Sequence, residues 1–221
     1  MRVLVVGATG GSGREAVRAL AERGHEVTAF SRRPADLPPG VRQLLGDVTD
    51  PADVEPAVVG QDAVVVALGI SESALGVRLR GSRGTPLDVR SRGTRHVVDA
   101  MRAHGVGRLV VQSSYGVGPT RDRLPLSSRL VFALVLRPQI DDHERQERLV
   151  RDSGLDWTIV QPVYLTDGDE PAACATEGGT DGAKVSRRAL GGVLADAVTD
   201  PALVGETVAV SGAVRQPVTA G

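Results

Sequence analysis

The chain has 221 residues, 41% of them hydrophobic and 24% charged, and a formal net charge of −1. Such a length suits one α/β domain with a full core, and the near-neutral charge provides no basic footprint for nucleic acid or an anionic membrane. Cys174 is the only cysteine, which excludes an intrachain disulfide and a cysteine-based metal cage, and His25, His96, His104 and His143 show no metal-ligand spacing.

The apolar run Arg2 to Val6 predicts a first strand that feeds Gly7-Ala8-Thr9-Gly10-Gly11-Ser12-Gly13 and then a helix over Arg14 to Arg23. Further strands are expected at Glu26 to Phe30, Val41 to Leu45, Ala63 to Leu68, Arg108 to Gln112, Thr158 to Gln161 and Thr207 to Val210. Asp50-Pro51 reads as an N-cap followed by proline at the first helical position, opening a short helix to Val59. Ser71 to Gly84 has no period and reads as a surface loop near the mouth of a site. A long helix is expected over Pro86 to His104. Leu124 to Leu136 is apolar but too short for a membrane span, which fits a core or substrate-covering helix. Asp141 to Ser153 reads as a charged helix stopped by Gly154. Thr166 to Lys184 reads as an aperiodic loop or lid, and Ser186 as the cap of a last helix through Val198. Strands alternating with helices predict a doubly wound, Rossmann-type parallel sheet. It would form one domain over 1–221, with a small substrate-covering portion from about 115–140 and 163–185.

The glycines carry chemistry because of where they stand. Gly7, Gly10 and Gly13 follow a G-x-x-G-x-x-G spacing directly between a strand and a helix, which lets backbone N–H groups and the positive helix end approach a pyrophosphate. Thr9, Gly11 and Ser12 complete that cradle. At the end of the second strand, an NAD site usually places an acid for the ribose 2′-hydroxyl, but this chain has Ser31-Arg32-Arg33. Two guanidinium forks suit a 2′-phosphate, so NADP(H) is the expected cofactor; the alternative is a pair of solvated arginines. No metal site is expected.

Residues after the strand ends resemble those of the atypical and extended short-chain dehydrogenase/reductases. The similarity is to the small NAD(P)H-binding branch that holds the flavin reductase/biliverdin-IXβ reductase type and the NmrA-like proteins. It is carried by residues 7–13, Gly46-Asp47-Val48, Asp88-Val89, Gly93-Thr94, Asp99-Ala100, Gly105-Val106, Leu109 to Ser114, Ser153 to Thr158, and Gln161-Pro162. The resemblance implies that Asp47 and Val48 flank the adenine, that Ala67-Leu68-Gly69 pass beneath the nicotinamide ribose, and that Gln161 lies at the cofactor. It also implies that the Ser114 hydroxyl polarises a substrate carbonyl. Ser113 is instead a candidate for satisfying backbone groups at the strand end.

The chain departs from the family's Tyr-x-x-x-Lys pair. Gln139 and His143 stand at those places, and the only lysine is Lys184. Candidates for the proton donor are therefore Tyr115, His143 and Tyr164; an imidazole with an ordinary pKa near 6.5 can exchange protons at neutral pH. His143 lies among Asp141, Asp142, Glu144 and Arg145, which is also the setting of a solvated surface histidine.

These features predict an NADPH-dependent reductase of a small aromatic, quinone-like or enone substrate. The alternatives are an NADP(H)-binding sensor with little turnover, or a non-redox isomerase, cyclase or dehydratase on the same scaffold. The opening strand follows no charged leader, so a cytoplasmic monomer or homodimer is expected, with a small-molecule partner and neither nucleic acid nor membrane.

Overall fold

The first strand sets the layering. In the computed structural model, which describes residues 1–69, 85–123, 137–169, 171–176 and 178–213, β1 (Arg2–Val6) is buried along Val3 to Val6. Because side chains alternate across a strand, Val3 and Val5 enter one apolar cluster, while Leu4 and Val6 enter another on the opposite face. A strand apolar on both faces demands cover on both, and helices supply it.

The chain continues through α1 (Gly11–Glu22), β2 (Glu26–Ser31), β3 (Arg42–Leu45), α2 (Pro51–Val58) and β4 (Ala63–Val66). It then forms α3 (Val89–His104), β5 (Arg108–Gln112), a 3-10 turn (Gly118–Arg123), α4 (Arg137–Arg151) and β6 (Asp156–Pro162). Last come β7 (Tyr164–Thr166), β8 (Ala172–Ala175), β9 (Lys184–Ser186), α5 (Arg187–Thr199), a short 3-10 turn (Pro201–Leu203) and β10 (Glu206–Gly212). The main sheet has the order β3-β2-β1-β4-β5-β6-β10-β8. All its neighbours are parallel except β10 and β8. This is the doubly wound Rossmann-type architecture, with its crossover reversing between β1 and β4.

One face is packed by α1 and α5, through Ala16, Val17, Leu20, Leu190 and Leu194. The other is packed by α2, α3 and α4, through Val54, Val58, Val97, Met101 and Val150.

Some bounds move by a few residues, the helix expected from Pro86 starting at Val89 and the strand expected to Leu68 ending at Val66, and three larger expectations change. The first helix starts at Gly11 rather than Arg14, because Gly-Ser-Gly is its first turn and not a preceding loop. The stretch 166–184 is not only a loop: Ala172–Ala175 pairs antiparallel with β10 as an edge strand, and Tyr164–Thr166 pairs with Lys184–Ser186 in a separate two-stranded sheet. None of these three strands has enough length for a readable period, so long-range pairing decides their state. The charged helix begins at Arg137 and is not solvated all round, since Asp142, His143, Gln146 and Glu147 are buried. Ser71 to Gly84 and Leu124 to Leu136 lie outside the described residues.

Candidate functional site

The turn after β1 is built on Gly7 and Gly13, where a Cβ would run into backbone. Gly7 adopts φ +86°, and a Cβ there would stand 2.5 Å from the Ala67 carbonyl oxygen, so the turn lies directly against the end of β4. Gly13 faces back on the same turn: its Cβ would meet the Gly7 carbonyl oxygen at 2.2 Å. The Gly7 N–H donates to Phe30 O at 3.1 Å, which ties the turn to β2.

The helix that follows is open at its start. Gly10 is the N-cap, no side chain among the described residues caps it, and the first turn carries no acid. Arg14 N–H donates to Gly10 O at 2.9 Å, so the N–H groups of Gly11, Ser12 and Gly13 stand outside the helix's own ladder. Uncapped donors at a positive helix end fit a phosphate group.

Ser31 closes its own turn, its hydroxyl donating to Arg33 O at 2.7 Å. Arg32 and Arg33 are exposed, and Arg32 Nη2 donates to Thr85 Oγ1 at 2.9 Å. Asp47 accepts from Thr49 N at 2.9 Å and from Thr49 Oγ1 at 2.8 Å. The Thr49 backbone bond, with Arg32 and Arg92 nearby, holds the Asp47 carboxyl below the usual carboxylate range, against the opposing effect of burial. Val48 is buried, and its carbonyl oxygen lies 3.0 Å from His96 Nδ1. Ala67, Leu68 and Gly69 follow β4 and grow progressively more exposed.

At the end of β5 the two serines diverge. Ser114 is half-buried, and its hydroxyl donates to Tyr115 O at 3.3 Å. Ser113 points into the protein, where its hydroxyl donates to Glu147 Oε1 at 2.6 Å and lies 3.4 Å from His143 Nδ1. Glu147 also accepts from Gln161 Nε2 at 2.7 Å and from Arg151 Nη2 at 2.8 Å. Gln161 is fully buried, and its remaining bonds go to Val117 O at 3.0 Å and from Thr120 Oγ1 at 2.9 Å. Its amide is therefore spent inside the protein, locking the end of β6 to the turn after β5.

Asp142, one residue before His143, accepts from Arg90 N at 3.1 Å, Ser91 N at 3.2 Å and Ser91 Oγ at 2.5 Å. It thus caps α3 from another helix, because Asp88 makes no side-chain cap bond. The buried Arg90 guanidinium lies 3.9 Å from Asp142, and its Nε and Nη1 have no hydrogen-bond partner among the described residues. Burial, reinforced by Arg90 and opposed by Gln146, pushes His143 well below its usual 6.5. His143 is a neutral imidazole at neutral pH and not a solvated surface group.

Tyr115 OH donates to Gly178 O at 3.1 Å. Tyr164 is 72% exposed on β7, away from the Ser113 cluster's buried interior.

A family model for NAD(P)H-binding proteins matches residues 7–201, from the glycine turn to beyond α5. The chain belongs to the NAD(P)H-binding family. Within 119 residues it is 40% identical to a 2-alkyl-3-oxoalkanoate reductase of Stenotrophomonas maltophilia, a match that covers 53% of this chain and 34% of the relative. The chain spans between about a third and a half of the length of the first curated relatives it matches. Among solved structures, a Rossmann-fold NAD(P)-binding family protein from Shigella flexneri is 26% identical with a TM-score of 0.69, covering 100% of this chain and 95% of that one. ChuY, an anaerobillin reductase from Escherichia coli O157:H7, shares the fold with a TM-score of 0.75 at 22% identity, covering 99% of this chain and 100% of its own.

The parallel strand order brings Gly7 to Gly13, Ser31 to Arg33, Asp47-Val48, Ala67 to Gly69 and Ser114, all expected from the sequence, to one edge of the sheet. Glu147 is not among the expected site residues, and Ser113 is expected only to satisfy backbone groups. A signal for Glu147 exists in the sequence: His143 and Glu147 stand four apart, on one helix face.

Proposed function

We propose that the protein is an NADPH-dependent reductase delivering hydride to a small aromatic, quinone-like or enone substrate. The observation that carries this reading is the position of two groups on the carboxyl edge of the sheet. The uncapped glycine turn follows β1 and the half-buried Ser114 hydroxyl follows β5, with only β4 between those strands. The reductase relative supports it. Exposed Arg32 and Arg33, with no acid at the end of β2, support NADPH over NADH.

Bound nicotinamide supplies the hydride; the chain's residues orient the acceptor and manage charge. The half-buried Ser114 hydroxyl, turning from its long 3.3 Å bond to Tyr115 O, is the donor that meets negative charge developing on the substrate oxygen. The balancing proton comes from water. Tyr115 already donates its hydroxyl to Gly178 O, His143 is buried and neutral, and Tyr164 is largely exposed. Ser113, Glu147 and Gln161 hold the end of β5 against β6, so that Ser114 is presented from a fixed backbone.

Purified protein mixed with NADPH and a panel of quinones, flavins and enones is expected to lose absorbance at 340 nm with at least one acceptor. Ser114→Ala is expected to lower the rate by roughly 10²-fold while leaving NADPH affinity within about twofold. Tight NADPH binding with no turnover on any acceptor overturns the reductase reading in favour of a binding-only sensor, for which the absent Tyr-x-x-x-Lys pair speaks.

A further inference from the structure

Arg187, the first residue of α5, lies over the first turn of α1. A Cβ on Gly11 would stand 2.6 Å from Arg187 Cδ and 2.8 Å from its Nε, so the bare backbone of Gly11 is what lets the guanidinium arm settle there. Its Nη1 donates to Asp167 Oδ1 at 2.6 Å, and the two side chains are 32% and 88% exposed. A full positive charge therefore rests beside a helix start that is itself positive, carries no side-chain cap and has no acid in its first turn. Like charges placed together in this way are unfavourable unless an anion joins them. Among the described residues, Asp167 bonds the guanidinium and caps none of the N–H groups of Gly11, Ser12 and Gly13.

We propose that Arg187 is a ligand for the pyrophosphate of the dinucleotide, and that Asp167 occupies its guanidinium until the phosphates replace it. The inference rests on the reading that the glycine turn holds those phosphates. A pyrophosphate satisfies both positive elements at once, the free N–H groups through one set of oxygens and the Arg187 fork through another. Asp167 follows β7, and Arg187 follows β9, the strand paired with β7. Exchange of partners at Arg187 thereby links cofactor occupancy to the two-stranded sheet that carries Tyr164.

The test is equilibrium binding, by calorimetry, of NADPH and of adenosine 2′-monophosphate, which lacks the pyrophosphate. The proteins are the 221-residue wild-type chain, Arg187→Ala, Arg187→Lys and Asp167→Asn. Arg187→Ala is expected to weaken NADPH by roughly 10-fold or more, Arg187→Lys by less, and neither to change adenosine 2′-monophosphate by more than about twofold. Asp167→Asn is expected to tighten NADPH by about two- to fivefold, the range in which exposed ion pairs act. A change under twofold in Arg187→Ala, or an equal loss for both probes, overturns Arg187 as a pyrophosphate ligand. Unchanged or weaker NADPH binding in Asp167→Asn overturns the exchange. If the wild type binds NADPH no more tightly than adenosine 2′-monophosphate, the glycine-turn reading itself fails, and the proposal falls with it.

Discussion

Arg32 and Ser113 show how far a single side chain carries meaning. Arg32 stands exposed at the end of β2, where a guanidinium fork can meet a 2′-phosphate, and its hydrogen bond to Thr85 holds the arm across the strand ends. A charge-assisted hydrogen bond contributes about 1.5–3 kcal/mol, so Arg32→Ala is expected to weaken NADPH by roughly 10- to 100-fold and NADH far less. Equal losses for the two cofactors in parallel titrations would remove the 2′-phosphate argument. Ser113 is the opposite case. Two adjacent serines after a strand look alike in sequence, but alternation sends Ser113 inward to Glu147 and leaves Ser114 half-exposed.

Among elements, α4 does the most with an unpromising composition. Its run of acids and arginines reads as a solvated helix, yet Asp142 and Glu147 are each 1% exposed. Both are fully engaged: Asp142 caps α3 and neighbours Arg90, while Glu147 joins β5, β6 and Arg151. Removing one partner of such a pair leaves the other charge buried, a change that typically costs about 3–5 kcal/mol. Asp142→Ala is accordingly expected to lose about 3 kcal/mol or more in urea unfolding, and Asp142→Asn less, because the amide oxygen can still accept from the α3 N–H groups. A loss below about 1 kcal/mol in Asp142→Ala would mean that α3 does not need its cap from α4. The C-terminus of α5 is served in a similar way, with Arg108 donating to the Ala197 and Val198 carbonyl oxygens.

For the whole molecule, the buried imidazole makes stability depend on pH. The folded state holds His143 below its ordinary value, so at acidic pH the unfolded chain binds a proton that the folded chain refuses. Stability from this group is fully present above about pH 6.5 and falls as the pH drops below it, down to the folded value. His143→Gln is expected to unfold with a flatter dependence between about pH 7.5 and 5.5 than the wild type. Parallel curves for the two proteins would show that His143 has no perturbed titration. Among the described residues no helix is long and apolar enough to cross a membrane.

The glycine turn, the alternation of strands and helices and the ends of β1, β2 and β5 are legible in the sequence, because each rests on local causes. A turn that needs φ +86° at Gly7 selects glycine, and an apolar run of strand length selects a buried strand. The sequence alone therefore determines a doubly wound sheet with a phosphate-fitting turn. Tertiary structure decides what depends on partners distant in the chain. Ala172–Ala175 becomes a strand through β10, Gln161 is withdrawn into a network with Thr120 and Glu147, His143 is neutral because burial and Arg90 disfavour its charge, and Arg187 reaches Gly11 only because α5 lies beside α1. Burial, charge and hydrogen-bond satisfaction are sums over neighbours, and only the folded chain assembles those neighbours.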